Sequence, residues 1–163
     1  ELSPQVKTFL KTKLIPHSTN PVFVKDVQDQ NAKNVSLDAI KKADKEWIEA
    51  EEELPLQKEK LNSASALELK KIAKENPAIL ESFVMDNQGA VVGESALTSD
   101  YWQGDEEKWV NSYNSGKGGI DIGKSKFDKS SNAEVQQVSL PVYDKDGKVI
   151  GAVTWGVAVS KLQ

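Results

Sequence analysis

The chain reads as an α+β protein, with a helical first half and a second half built of antiparallel hairpins. Three observations lead there. Apolar residues recur at helical spacing as far as Asn76-Pro77, and each such stretch opens at a Ser or Asn suited to capping a helix. From Ala78 the periodicity changes, and two turns of the pattern D-x-x-G-x-V-[VI]-G, starting at Asp86 and Asp144, separate runs rich in β-branched residues. The last run, residues 149–159, is apolar or small on both parities. Val149, Val153, Trp155, Val157 and Val159 fall on one, and Ile150, Ala152, Thr154, Gly156 and Ala158 on the other. A strand covered on both faces belongs in the middle of a sheet, so the rest of the chain must supply its covering layers.

The helical half begins at Ser3-Pro4, a cap followed by a first-turn proline, with Val6, Phe9, Leu10 and Leu14 on one side and Pro16 as its end. Asn20-Pro21 repeats the start signal for a weaker amphipathic segment carrying Phe23, Val24 and Val27. Ser36 caps a clearer helix with Leu37, Ile40, Trp47 and Ile48 on one stripe. The acidic run Glu49-Ala50-Glu51-Glu52-Glu53 that follows reads as a solvated face, and Pro55 interrupts the helix. A further capped helix starts at Ser63 or Ser65 with Leu67, Leu69, Ile72 and Ala73, and stops before Pro77.

In the second half, residues 79–85 and 90–92 flank Asp86-Asn87-Gln88-Gly89, and residues 135–143 and 149–159 flank Asp144-Lys145-Asp146-Gly147. Asp at the start of a turn bonds its own backbone and Gly takes the left-handed position, so like turns select like sequences. The echo therefore means two similar hairpins, not a duplicated domain. A calcium loop at Asp144 lacks the bidentate Glu at its twelfth position, where Trp155 stands. Between the hairpins come Tyr101-Trp102-Gln103-Gly104-Asp105, a helix over residues 106–113 with Lys108 and Trp109, a Ser-Gly stretch, a short strand over residues 120–122, and Phe127, Asp128, Ser130 and Ser131. Large aromatics with a few polar groups are what small-molecule pockets are lined with; packing of Trp102 and Trp109 onto the sheet is the other reading.

Composition sets the limits. One domain is expected from 163 residues, long enough to bury about 70% of its unfolded surface without metal or disulfide staples. No apolar run approaches the roughly 20 residues of a membrane helix. All 21 basic residues are Lys and the net charge is −4, which speaks against nucleic acid as a partner, because such binders carry clustered basic faces and Arg forks. Without Cys there is no thiol nucleophile or disulfide, and the single His17, read as a surface residue, builds no multi-histidine metal site. Residues 118–125 satisfy G-x-x-x-x-G-K-[ST], yet a phosphate loop needs a buried strand before it and a helix after it. Here Ile120-Asp121-Ile122 favours strand, and no helical stripe follows. No catalytic constellation, metal site or cofactor motif stands out; Asp121 and Asp128 are the one carboxylate pair considered for acid-base work.

Taken together, MDNQGAVVGES, TSDYWQGDEEKW, FDKSS and QQVSLPVYDKDGKVIGAV, following N-terminal helices, resemble the PDC (Cache-type, PAS-like) sensor domains of bacterial signalling proteins over roughly residues 36–162. The resemblance implies one sensor domain over residues 1–163, helical to residue 77. In it a five-stranded antiparallel sheet carries the N-terminal helices, one of them long, on one face and ligand-binding loops on the other. It implies non-catalytic binding of a small metabolite (amino acid, amine or small carboxylate) in an extracytoplasmic setting, as a receptor ectodomain whose membrane helices lie outside this chain or as a stand-alone binder. No cofactor is implied. The pocket wall would comprise Tyr101, Trp102, Asp105, Lys108, Trp109, Asp121, Asp128, Ser130 and Gln137 or Ser139. Many relatives hold a carboxylate with Arg; Lys108 offers a point charge instead of a planar fork. Two further readings stay open: a ligand-free module dimerising through its N-terminal helices, and a hydrolase working through Asp121 and Asp128.

Overall fold

The side-chain oxygens of Ser3, Asn20, Ser36 and Ser63 each accept a backbone N–H of the helix that follows, so all four expected starts are real caps. The computed structural model describes residues 2–162; Glu1 and Gln163, the outermost residues of the expected domain, lie outside them. Helix α1 (Pro4–Phe9) does not end at Pro16. It runs on through a π-helical turn, Leu10–Leu14, into a 3-10 turn, Ile15–Thr19, which holds Pro16 in its first turn, where a missing N–H leaves no bond unmade. His17 is half-buried rather than on the surface. Its ring lies 5.7 Å from that of Trp155 and 6.3 Å from that of Phe23, and burial pulls its pKa below the usual value.

Helices α2 (Pro21–Ala32), α3 (Leu37–Glu49) and α5 (Ala64–Glu75) are the expected ones. Helix α4 (Pro55–Asn62) is not expected from the sequence. Pro55 starts it as well as interrupting what precedes, and Gln57 Oε1 accepts the Leu54 N–H at 2.8 Å. Its buried side chains are Gln57 and Lys60, so there is no apolar stripe to read. The predicted stripes are also narrower than expected: Leu37, Ile48 and Leu67 are exposed, while Ile40, Trp47, Leu69 and Ile72 are buried.

Six strands form one antiparallel sheet: β1 (Ile79–Met85), β2 (Val91–Glu94), β3 (Asp121–Ile122), β4 (Lys126–Asp128), β5 (Ala133–Tyr143) and β6 (Val149–Ala158). The order is β2-β1-β6-β5, with the next position shared by β3 and β4, both paired to β5. The expected five strands become six because the outer one breaks at residues 123–125. A helix, α6 (Glu107–Tyr113), joins β2 to β3. The strand Lys126–Asp128 stands where a phosphate loop would require a helix, which removes that reading.

Strand β6 is buried along its whole length. On one face Val153, Trp155 and Val157, with Val84 and Leu140, meet Leu10 and Leu14 of the N-terminal arm, Phe23 and Val27 of α2, and Leu69 and Ile72 of α5. The longest helix, α3, is not part of this layer. Its Ile40 and Trp47 form a separate cluster with Ala90, Val91 and Tyr101 beside β2, where Trp102 bridges Ala90. The face expected to carry the long N-terminal helix is therefore covered by α2, α5 and the arm.

The two D-x-x-G turns are alike in geometry and unlike in connection. In each, the Asp Oδ1 accepts two backbone N–H groups, from Gln88 and Ala90 and from Asp146 and Lys148, while Gly89 and Gly147 sit at φ of 88° and 82°. Asp86 does more. Its Oδ2 accepts from Gln30 Nε2 of α2 at 2.9 Å, Gln30 Oε1 accepts from Lys60 Nζ of α4 at 2.8 Å, and the Asp86 carbonyl accepts the Trp109 indole N–H of α6 at 3.0 Å. Asp86→Ala should cost about 2–3 kcal/mol in urea unfolding and Asp144→Ala about 1 kcal/mol; equal losses would refute a hub role for the first turn.

Candidate functional site

The second face of the sheet is read from its register. One row across it runs Glu94, Phe83, Thr154, Ser139, Asp121, and the next runs Glu81, Gly156, Gln137. The β6 contribution to this face, Ala152, Thr154, Gly156 and Ala158, is small throughout. Helix α6 settles on one end, where Trp109 packs against Phe83, Met85 and Ala152 and Lys108 Nζ lies 5.8 Å over the Phe83 ring. The other end carries no helix. A hollow of about 680 Å³ remains there between Lys108 of α6, Glu81 of β1, Val135 and Gln137 of β5, and the outer segment of Gly123, Lys124, Lys126, Phe127, Asp128, Ser130 and Ser131, with Leu80 and Ala96 closing one side. The volume lies within the range of small-molecule sites, about 300–1,000 Å³.

Four of the expected site residues, Lys108, Asp128, Ser130 and Gln137, line this hollow from three segments of the chain. The other six do not. Tyr101 is buried and stacks on Trp47 at 5.3 Å. Trp102 donates its indole N–H to the Gln88 carbonyl at 2.8 Å and takes Lys41 Nζ over its ring at 5.1 Å. Trp109 stacks on Tyr113 at 5.0 Å, beneath α6 rather than at the hollow. These three rings pack between neighbouring elements and do not line the hollow. Asp105 is exposed. Asp121 accepts from Asn111 Nδ2 at 2.8 Å, tying β3 to α6, and the buried Ser139 hydroxyl bonds that of Thr154 at 2.7 Å.

Asp121 pairs in register with Ser139 and Asp128 with Ala133. Six residues of strand between those partners correspond to roughly 20 Å, too far for one carboxylate pair to flank a single bond. Asp128 is also occupied locally. It accepts the Ser131 and Ser130 hydroxyls at 2.6 and 2.9 Å, and these bonds hold its pKa below the usual carboxylate value. Lining residues that sequence reasoning passed over include Glu81, Lys124 and Lys126. Glu81, the one charged residue of β1, was a usable signal; Lys124 stands out in the sequence only as part of a phosphate-loop pattern.

No family model and no curated protein matches the sequence. Among solved structures the chain is similar to the sensor domain of the Vibrio cholerae histidine kinase DctB, with 14% identity over 96% of this chain and 51% of that one and a TM-score of 0.49. It is similar to the ligand-binding domain of the Campylobacter jejuni chemoreceptor Tlp3 in complex with L-valine, with 20% identity, coverage of 100% and 67%, and a TM-score of 0.44. The Escherichia coli DcuS sensor domain gives 20% identity, coverage of 76% and 92%, and a TM-score of 0.43. The chain thus spans about half the length of the DctB structure and two thirds of the Tlp3 one. These solved structures are all sensor or ligand-binding domains.

The end of β2 and the loop that runs from it to α6 hold an unusual set of acids. Glu94 is fully buried; its Oε2 accepts from Thr98 Oγ1 at 2.9 Å, and its Oε1 has no partner among the described residues. Burial pushes its carboxyl up to about 7. Asp100 is raised to about 6 by burial, then by the nearby Glu106 and Asp44, although Gln103 Nε2 donates to it at 2.6 Å. A carboxyl that keeps its proton to a higher pH when folded binds more protons in the folded state. Stability from Glu94 is therefore full below the unfolded value near 4.5 and is lost as pH rises through about 7. Glu94→Gln should be more stable than the parent by about 1–3 kcal/mol at pH 8, a melting gain of a few degrees, with the gap closing toward pH 4.5. A gap constant across that range would show that Glu94 is not a buried acid.

Proposed function

We propose that this chain is an extracytoplasmic sensing domain of the PDC type that binds a small metabolite (an amino acid, amine or small carboxylate) without transforming it, for bacterial signal transduction or chemotaxis. The observation that carries the reading is the hollow beside α6, where Lys108 of α6, Asp128 and Ser130 of the outer segment and Gln137 of β5 converge on an otherwise small-residue sheet face. The sequence resemblance to sensor domains points the same way. No described helix is long and apolar enough to cross a membrane.

Ligand binding on this face can be relayed because α6 and the outer strand segment both line the hollow and both are anchored to β5. A ligand that prefers one spacing of those walls shifts that population, and elements attached to the sheet read the shift. Thermal-shift screening of amino acids, carboxylates and amines tests the reading. A true ligand at a hundredfold excess over its Kd stabilises the native state by about 2.7 kcal/mol, a rise of roughly 5–10 °C, and Lys108→Ala should reduce that rise while leaving the free protein folded. A well-behaved protein that answers to nothing in the panel, and whose mass instead grows with concentration, would favour a dimerisation module built on the N-terminal helices.

A further inference from the structure

Thr98 Oγ1 stands between two oxygens, 2.9 Å from Glu94 Oε2 and 2.8 Å from the Asp100 carbonyl. A hydroxyl has one hydrogen to give and two lone pairs to receive with. If Glu94 is ionised it takes that hydrogen, and the Asp100 carbonyl faces a bare lone pair. If Glu94 is protonated, its Oε2–H donates to Thr98, Thr98 donates to the Asp100 carbonyl, and both short contacts are hydrogen bonds. The other carboxyl oxygen favours the same form. Glu94 Oε1 is buried with no partner among the described residues, which a neutral C=O bears far more easily than an ionised oxygen. From Asp100 the chain of bonds continues. Gln103 Nε2 donates to the Asp100 carbonyl at 3.1 Å and to its Oδ1 at 2.6 Å, and the Gln103 carbonyl accepts the N–H of Glu106, the residue that opens α6, at 3.0 Å.

The charged groups around this carboxyl are engaged elsewhere. Lys60 of α4 gives its Nζ to Glu59 and Gln30, and Lys108 of α6 goes to Glu106. Asp44 of α3 accepts the Tyr101 and Trp102 N–H groups, and Glu81 stands one row further along β1. Helices α2 and α5 meet β2 through Gln30, Ser65 and Ala66, which carry no charge. Burial therefore outweighs the pull of Lys60, and the carboxyl titrates near 7.

We propose that Glu94 is a proton-operated latch: with its proton it joins the end of β2 through Thr98, Asp100 and Gln103 to the first turn of α6, and without it the join breaks at Thr98. On ionisation the proton passes to solvent, Thr98 turns its hydrogen to the carboxylate, and the Asp100 carbonyl is released. Helix α6 carries Lys108 to the hollow, so acidity sets how firmly one lining element is held. This goes beyond metabolite sensing and does not depend on it. An open loop returns Glu94 to water, where it ionises near 4.5, so opening is favoured progressively from about pH 4.5 to about pH 7 and no further above.

The test follows amide hydrogen exchange, corrected for intrinsic rates, and the Glu94 carboxyl carbon by NMR on the whole chain from about pH 5 to about pH 8. Protection of residues 98–106 should fall about tenfold or more between pH 5 and pH 7 and then level off. These openings should be insensitive to dilute urea, which marks them as local rather than global unfolding. Glu94→Gln, whose amide offers Thr98 a hydrogen at every pH, should keep the loop protected throughout. Thr98→Val removes the join without touching the acid. It should leave the loop weakly protected even at pH 5, and it decides the matter if the Gln variant does not fold. The proposal is overturned by loop protection that ignores pH, by exchange only through whole-molecule unfolding, by a Glu94 carboxyl titrating near 4.5, or by a Glu94→Gln loop that keeps the parent's slope.

Discussion

The fold depends on one asymmetry in β6. Every second residue from Val153 to Val157 is large and faces the helices; the alternate positions Ala152, Thr154, Gly156 and Ala158 are small. Close packing requires the large side to be matched by Phe23, Val27, Leu69 and Ile72, which commits α2 and α5 to that face. The small side has no volume to offer a full helical layer. A single short helix, α6, lands there by one tryptophan, and the remainder stays low enough for Glu81 to lie close to Gly156 and for a hollow to persist. The core and the candidate site are thus two consequences of one alternation.

To that apolar packing, polar and local bonds add fixed points between the helices and the sheet. The β1–β2 turn receives α2 through Gln30, α4 through Lys60 by way of Gln30, and α6 through Trp109, so three helices converge on Asp86. The indoles act in the same manner elsewhere. Trp47 donates to the Thr98 carbonyl and Trp102 to that of Gln88, so each fixes a loop strand to its neighbour while burying its ring. The loop from β2 to α6 is therefore held at several points, and Glu94 at the end of β2 and Asp100 within the loop stand in a setting where carboxylates are costly to ionise. That loop leads straight into the helix bearing Lys108, one wall of the hollow.

Much of this was legible in the residues because the signals are local. Four helix caps, two Asp-Gly turns and the two-sided strand each announce themselves within a few positions, and each is found in place. Helix α4 was not legible because it buries Gln57 and Lys60, for which no apolar pattern exists. The exposed Leu37, Ile48 and Leu67 could not be told from core residues, since the width of a stripe depends on what it meets. Part of the lining of the hollow was legible. Lys108, Asp128, Ser130 and Gln137 fall at the hollow, but Tyr101, Trp102 and Trp109, chosen for their size, turned out to be packing. Whether Glu81 faces the hollow depends on the register shift between Ile79 and Glu81, and whether it has room depends on Gly156 across the ladder; neither relation exists in one dimension.

The most direct test of the account is where a bound metabolite touches the sheet. In an amide chemical-shift titration with the compound that most stabilises the protein, the small face of β6 predicts perturbations centred on Glu81, Gly123, Gln137 and Gly156, fading toward α2 and α5. Perturbations centred instead on the N-terminal arm, α2 and α5, with those four amides unmoved, would contradict it.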